Sequence, residues 1–419
     1  MSRACPRKPP MTAPLASGLG KVSDFIGKQD GRIMPERKDA QTIAASNGIG
    51  TDVAFGSVVP PLYLSSTFAF DSLERTGGYD YTRTANPTRD LLGDTLAKLE
   101  GGVGSVVTSS GMAAIDLVLA KLSPKQLVIA PHDCYGGTYR LLAARAAKGQ
   151  FELLFIDQGD DEGLDVALKK TPALILIETP SNPLMRIVDI RSIANRAKTA
   201  GAKVAVDNTF LSPALQQPIG LGADFVIHST TKYLNGHSDI VGGAVIAANK
   251  KDMEELASWA NITGVTGSPF DAYLTLRGLR SLFPRMERQQ RTAAAVATFL
   301  KQNKSVSAVY YPGLLTHPKH EIAKRQQSGF GAMLSFEIAG GVDDVRKFVE
   351  SVEIFTLAES LGGVESLVAH PATMTHAGMS PEARRAAGIS DRLLRLSIGL
   401  ESEPDLLGDI ATGLAVLNR

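Results

Sequence analysis

Phe225-Val226-Ile227-His228-Ser229-Thr230-Thr231-Lys232-Tyr233-Leu234-Asn235-Gly236-His237 is a short apolar run that stops abruptly at three hydroxyl residues and a lysine. It reads as a buried strand feeding a loop. A lysine just past such a strand can sit in a poorly hydrated cleft, where desolvation lowers its pKa and leaves a nucleophilic amine able to form a Schiff base. The hydroxyls beside it are small donors suited to a phosphate. Taken alone the segment fits a solvated surface lysine equally well, so the rest of the chain has to decide.

Upstream, apolar runs at 103–107, 127–130, 151–156, 173–177 and 203–206 alternate with helical stretches that include 112–121, 135–147 and 189–200. This alternation predicts right-handed βαβ units around a mostly parallel sheet, an α/β architecture. In such sheets ligands sit beyond the carboxyl ends of the strands. Three of those ends carry chemistry, and they are expected to converge: Ser109-Ser110-Gly111-Met112, Asp207-Asn208-Thr209 and Ser229 to Lys232. Gly111 and Met112 open a helix, whose free N–H groups and positive dipole end favour a phosphate. Ser229 and Thr231 can donate to the same group. Asp207 ends a buried strand, where an ionised carboxylate needs a cation. A protonated pyridine nitrogen supplies one, and the pairing would keep that ring electron-withdrawing. Tyr135, just after Pro131-His132-Asp133-Cys134, can stack on the ring face.

Downstream, a long helical region from about 269 to 302 leads into a second unit. Apolar runs at 332–338 and 393–398 with helices at 342–350 and 404–417 predict a smaller α+β domain. Toward the N-terminus, 36–46 reads as a short helix, and Val58-Val59-Pro60-Pro61-Leu62-Tyr63 must be extended because consecutive prolines forbid helix. The polar stretch 79–88 precedes a helix carrying Leu91, Leu92, Leu96 and Leu99 at helical spacing, and on its own reads as a capping loop. The expected organisation is an extension over 1–35, an N-terminal segment over 36–90, a large domain over 91–300 and a small C-terminal domain over 301–419.

Composition narrows the function. Lys plus Arg number 44 against 43 Asp plus Glu, so no net field recruits nucleic acid or an anionic membrane, and neither is expected as a partner. Cys5 and Cys134 are the only cysteines, too few for a disulfide framework or a thiolate metal site, which fits a reducing cytoplasm. No apolar run approaches the roughly 18 residues of a membrane span. His132, His228, His237, His370 and His376 show no zincin spacing, and no metal is expected. Residues 1–23 contain four prolines, four basic residues and no acidic one, and are expected to be a disordered tail or to precede the true start at Met11 or Met34.

Tyr81-Thr82-Arg83, Asn86-Pro87-Thr88, Ser110-Gly111-Met112, Asp207-Asn208-Thr209 and Ser229 to His237, together and in this order, resemble the Cys/Met-metabolism family of pyridoxal-phosphate (PLP) enzymes. The likeness runs from about residue 37 to the end. Further segments, Pro131 to Arg140, Gly264-Val265-Thr266-Gly267, Arg325 to Phe336 and Leu357 to Ser366, are similar to the γ-replacing members of that family. The resemblance implies fold type I, the aspartate-aminotransferase-like architecture, with a large mostly parallel domain and a smaller α+β domain. It implies PLP as cofactor, with Lys232 as the Schiff-base lysine and Tyr135 as its catalytic companion. Gly111, Met112, Tyr135, Asp207, Thr209, Ser229 and Thr231 would hold the cofactor, and Tyr81 and Arg83 would reach the phosphate of a neighbouring subunit. Asn182, Ser360 and Arg395 would hold the substrate α-carboxylate, while Glu359 and Arg140 would line the distal end. Thr84 follows Arg83 where some members carry a second arginine, a departure that bears on that distal end.

The assembly so implied is a homotetramer, a dimer of dimers with shared active sites. The implied reaction joins an O-acyl-homoserine, O-succinyl first, to cysteine and yields cystathionine, a step of methionine biosynthesis. The alternative is γ-elimination of cystathionine to cysteine, 2-oxobutyrate and ammonia. A non-catalytic regulatory protein on the same fold is the remote reading, opposed by the joint presence of Lys232, Asp207, Tyr135 and Arg395.

Overall fold

The computed structural model describes residues 38–418; the expectations for 1–35 lie outside the described residues. A short helix α1 (Ala40–Ser46) starts at Asp39, whose side chain accepts the Gln41 N–H. The segment 58–63 is free of helix, as its prolines require. A two-stranded ribbon, β1 (Phe70–Ser72) and β2 (Arg75–Thr76), follows it. Helix α2 (Pro87–Glu100) is capped by Asn86, which accepts from the N–H groups of Thr88 and Arg89, and Pro87 occupies a first-turn position that needs no N–H. Its Leu92, Leu96 and Leu99 are fully buried. Gly101, at φ 78°, ends it in the left-handed conformation that glycine adopts without steric cost.

The main sheet has seven strands: β3 (Gly104–Thr108), β4 (Leu127–Pro131), β5 (Glu152–Ile156), β6 (Leu174–Glu178), β7 (Lys203–Asp207), β8 (Phe225–His228) and β9 (Gly243–Ala247), in the order β3-β9-β8-β7-β6-β4-β5. The six strands read from the sequence are all present. Helices α3 (Gly111–Leu119) and α4 (Gly136–Ala147), together with Asp161–Leu168 and Ile190–Thr199, make the crossovers. Strand β9 is an addition to that reading. It runs antiparallel between β3 and β8. An antiparallel neighbour needs no crossover helix, so the loop 229–242 alone joins β8 to β9, and no α/β alternation marks it. Strands β6, β8 and β9 are buried along their whole length, as expected for strands covered on both faces.

The expected helical region over 269–302 consists of two helices, Pro269–Leu279 and Leu282–Lys301. Pro284, in the first turn of the second, marks the restart, since proline is tolerated there and not in a helix interior. Beyond it a five-stranded sheet is ordered β10 (Val306–Tyr310), β11 (Met333–Ile338), β14 (Leu393–Ser397), β13 (Leu367–Ala369), β12 (Thr356–Leu357). The two apolar runs read from the sequence are its central strands, β11 and β14. The short strands β12 and β13 and the half-exposed β10 carry too little apolar pattern to be read in advance. Helices Val342–Ser351 and Glu403–Ala415 complete the smaller α/β unit. Among the described residues no helix is long and apolar enough to cross a membrane.

Candidate active site

A cavity of about 370 Å³ opens at the carboxyl ends of β7 and β8 and is walled on its far side by the 359–361 loop and Arg395 of β14. All three chemistry-bearing strand ends line it, as expected. Ser110 caps α3 by accepting the Ala113 N–H at 3.1 Å. Gly111 follows, and a Cβ there would lie 2.8 Å from Ser229 Cβ, so only glycine lets the α3 entry and the β8 exit come together. The first N–H groups of α3, the Met112 side and the Ser229 hydroxyl thus share one end of the cavity. Thr209 reinforces this end, its hydroxyl oxygen accepting the Ser229 N–H at 2.9 Å. Thr231 lines the cavity too, but its hydroxyl both donates to Gly242 O and accepts from Gly242 N, which ties down the lysine loop.

The opposite wall carries two carboxylates. Asp207 at the end of β7 accepts the Thr209 N–H at 3.0 Å. Glu178 stands beside it in register at the end of β6. Burial pushes both carboxyls up, and the charge of Asp207 raises Glu178 further, against the pull of two backbone N–H bonds from Tyr135 and Asn182. A buried carboxylate beside a half-buried one calls for a cation, and a pyridinium nitrogen is a group of that kind. Tyr135, at the N-terminus of α4, presents its ring to the same space. The residues present therefore fit a phosphorylated pyridine cofactor: helix N–H groups and hydroxyls at one end, carboxylates at the other, an aromatic face between.

Lys232 lines the same cavity. Its Nζ donates to Ser360 Oγ at 2.7 Å, and burial, with Arg395 nearby, lowers its pKa to about 8. The amine is consequently neutral in a large fraction of molecules near pH 8, as a proton acceptor has to be. Ser360 is held at φ 80°, a conformation that costs a non-glycine residue about 1–3 kcal/mol and is characteristic of functional sites. Arg395 is buried, and its pKa falls to about 10 through desolvation. It donates to Asn182 Oδ1 at 3.0 Å and to Ser360 O at 2.8 Å, while its Nε has no partner among the described residues. A buried guanidinium with an unused donor is poised for a carboxylate. Glu359 lines the cavity beside it.

Arg140, expected at the distal end, lies outside this cavity, as do Tyr81 and Arg83, which were expected to serve a neighbouring subunit. Arg140 is exposed on α4 with its guanidinium against Gly378, outside the lining of the cavity. Tyr81 is exposed, and Arg83 donates from Nη1 to Asn261 O at 2.7 Å and to Asn261 Oδ1 at 2.5 Å, beside a separate groove. Arg83 does not pair with Asp80, the local partner that a capping loop would have used. Among the described residues, Lys232 and Arg395 are the only Lys or Arg lining the cavity. The histidines that raised the metal question have ordinary partners: His228 Nε2 is 2.6 Å from Glu100, and His376 Nε2 is 3.1 Å from Asn182 O. Glu178 was not singled out from the sequence, although Leu174-Ile175-Leu176-Ile177-Glu178 has the pattern that drew attention to Asp207, an apolar strand ending in a carboxylate.

Residues 41–415 match the family model described as Cys/Met metabolism PLP-dependent enzyme. The chain is 55% identical over 384 residues to the cystathionine gamma-synthase of Escherichia coli K12, covering 91% of this chain and 99% of that one. It is 58% identical to the cystathionine gamma synthase of Xanthomonas oryzae pv. oryzae, solved in complex with aminoacrylate and cysteine, with a TM-score of 0.90 and coverage of 90% and 98%. It is also 44% identical to the cystathionine gamma-lyase of Bacillus subtilis, covering 89% of this chain and 98% of that protein.

Proposed function

The chain belongs to the Cys/Met metabolism PLP-dependent enzymes, and from that premise we propose that it carries out the reaction of a cystathionine γ-synthase, the replacement of the acyloxy group of an O-acyl-homoserine by cysteine. It is a PLP-dependent enzyme acting on amino-acid substrates in methionine biosynthesis. PLP supplies, when bound, a ring that withdraws electrons from the carbons of the substrate.

The chain's own groups do the rest. Gly111, Met112, Ser229 and Thr209 would hold the phosphate, with Thr231 tying down the loop beside it through Gly242; Asp207 would serve the ring nitrogen and Tyr135 the ring face. Arg395, with Asn182 and Ser360, fixes the substrate α-carboxylate, which orients Cα toward Lys232. The neutral Lys232 amine takes the Cα proton and relays a proton at Cβ. The acyl carboxylate leaves from Cγ and the cysteine sulfur takes its place, giving cystathionine and the free acid. Glu359, which lines the cavity, is assigned to the distal end of the substrate site. The observation that carries this reading is the chain of contacts Lys232–Ser360–Arg395, which joins a low-pKa amine to a carboxylate anchor across one cavity. O-succinyl-homoserine is the first candidate ester.

The test is to supply O-succinyl- or O-acetyl-homoserine with and without cysteine and to measure cystathionine and 2-oxobutyrate. Cystathionine that forms faster than it is cleaved supports the synthase. Rapid cleavage of cystathionine to cysteine and 2-oxobutyrate moves the assignment to a γ-lyase, the second reading, which the identity to the Bacillus subtilis enzyme keeps in view.

We further propose a cytoplasmic homotetramer whose active sites are shared between two subunits, with Tyr81 and Arg83 reaching a neighbour's phosphate. Two features support it. Among the described residues the phosphate end has no cation of its own, although a bound phosphate carries close to two negative charges. The segment around Arg83 also leaves Val53, Phe55, Leu64 and Leu73 largely exposed, an apolar surface that a second copy would cover. Mixing inactive Arg83→Ala and Lys232→Ala proteins under subunit exchange is expected to restore about a quarter of wild-type activity, since random pairing gives one intact site in half the dimers. No recovery despite demonstrated exchange would mean that Arg83 serves its own subunit.

A further inference from the structure

Glu178 has no role in the reaction as set out above, yet it is tied to three parts of the site. It ends β6 directly opposite Asp207 on the parallel neighbour β7, and adjacent strands lie about 5 Å apart. Its Oε2 accepts the N–H of Tyr135 at 2.9 Å and its Oε1 accepts the N–H of Asn182 at 2.8 Å. One side chain therefore holds the backbone of the residue facing the ring and of the residue beside the substrate carboxylate. Each of its oxygens has its own N–H donor, an arrangement that a carboxylate satisfies and a carboxamide cannot, because an amide has only one acceptor oxygen.

We propose that Glu178 is a positioning residue of this active site, which sets Tyr135 and Asn182 through its two oxygens and places a second negative charge beside Asp207 for the cationic ring nitrogen. The inference rests on the reading that the cleft holds PLP. The other titratable groups around the pair are Asp133, with Arg186 Nη1 3.4 Å away, the buried Cys134, and His228, which is bonded to Glu100. Without a cation from the cofactor, Glu178 and Asp207 oppose one another in a buried setting, and the native protein holds on to a proton there that the unfolded chain releases. Carboxyls raised in the folded state contribute stability at low pH that is lost as pH rises through their folded pKa.

The experiment compares wild type with Glu178→Gln in three measurements: thermal stability of the cofactor-free protein from about pH 5 to 8, equilibrium affinity for PLP, and the separate KM and kcat. The variant is expected to lose part of the fall in stability with rising pH. It should bind PLP about 10- to 100-fold more weakly, as loss of a charge-assisted contact entails. Its KM should rise because Asn182 is no longer fixed. Glu178→Asp, which keeps the charge with a shorter reach, should restore the pH dependence while leaving KM raised, a split that a purely structural role would not produce. If wild type itself fails to bind PLP, the reading of the cleft is wrong. If wild type binds and Glu178→Gln matches it in pH dependence, affinity and KM, only the role of Glu178 is wrong. Should Glu178→Gln not fold, Glu178→Asp decides alone, and wild-type KM and PLP affinity in that variant overturn the proposal.

Discussion

Lys232→Ala is expected to abolish turnover, with a loss of at least about 10³-fold, while leaving the fold intact. General acid–base groups contribute roughly 10²–10⁴-fold each, and Lys232 is assigned proton transfer at two carbons as well as the anchoring of the cofactor. Among the described residues Lys232 is the only lysine lining the cavity, so no neighbouring lysine stands ready to replace it. The environment is also specific to a neutral amine. Burial holds the pKa near 8, and Ser360 Oγ at 2.7 Å fixes the direction of Nζ. Lys232→Arg, which cannot deprotonate, should be as inactive as Lys232→Ala. The stability effect has the opposite sign. A lysine whose folded pKa is lowered resists protonation in the native state, so at pH 7 its charge opposes folding. The cofactor-free Lys232→Ala protein should therefore melt no lower than wild type at pH 7. A large drop in melting temperature would mean that Lys232 is a structural cation, contrary to this assignment.

Asp207→Asn should slow the reaction by about 10- to 1000-fold, because a carboxylate beside a ring nitrogen raises its pKa by roughly 1–3 units and each unit corresponds to a factor of ten. The local hydrogen bond survives, since an asparagine oxygen can still accept the Thr209 N–H that Asp207 takes at 3.0 Å. The loss should thus appear in kcat rather than in folding. In the cofactor-free protein Asp207→Asn removes one of two opposed carboxyls, and the variant should be more heat-stable at pH 8 than wild type. Near-normal turnover would contradict the assignment of Asp207 to the ring nitrogen.

The parts of this site that sequence made legible share one feature: each is an apolar strand that ends in a residue able to do chemistry. Asp207 after Val204-Ala205-Val206 and Lys232 after Phe225-Val226-Ile227 stand out because a buried strand cannot continue through them without cost. Glu178, after Leu174-Ile175-Leu176-Ile177, has the same signature. Ser360, Asn182 and Arg395 could not be assembled from pattern. They come from three separate segments of the chain, and their meeting depends on how the five-stranded sheet sits over the strand ends; only the family resemblance named them in advance. Strand β9 went unread because the α/β alternation is broken by the lysine loop itself. Arg140 shows the opposite limit, since a residue expected at the distal end on resemblance lies outside the cavity lining. Thr231 reads as a phosphate donor from its type, yet its hydroxyl is largely engaged in holding Gly242.

The central claim, that the converging strand ends form a PLP site anchored at Lys232, is tested most directly by borohydride reduction of the PLP-loaded protein followed by peptide mapping. A single pyridoxyl-modified peptide containing Ser229-Thr230-Thr231-Lys232-Tyr233 is expected, lost in Lys232→Ala. A stable label on any other lysine, with Lys232 unmodified, would contradict it.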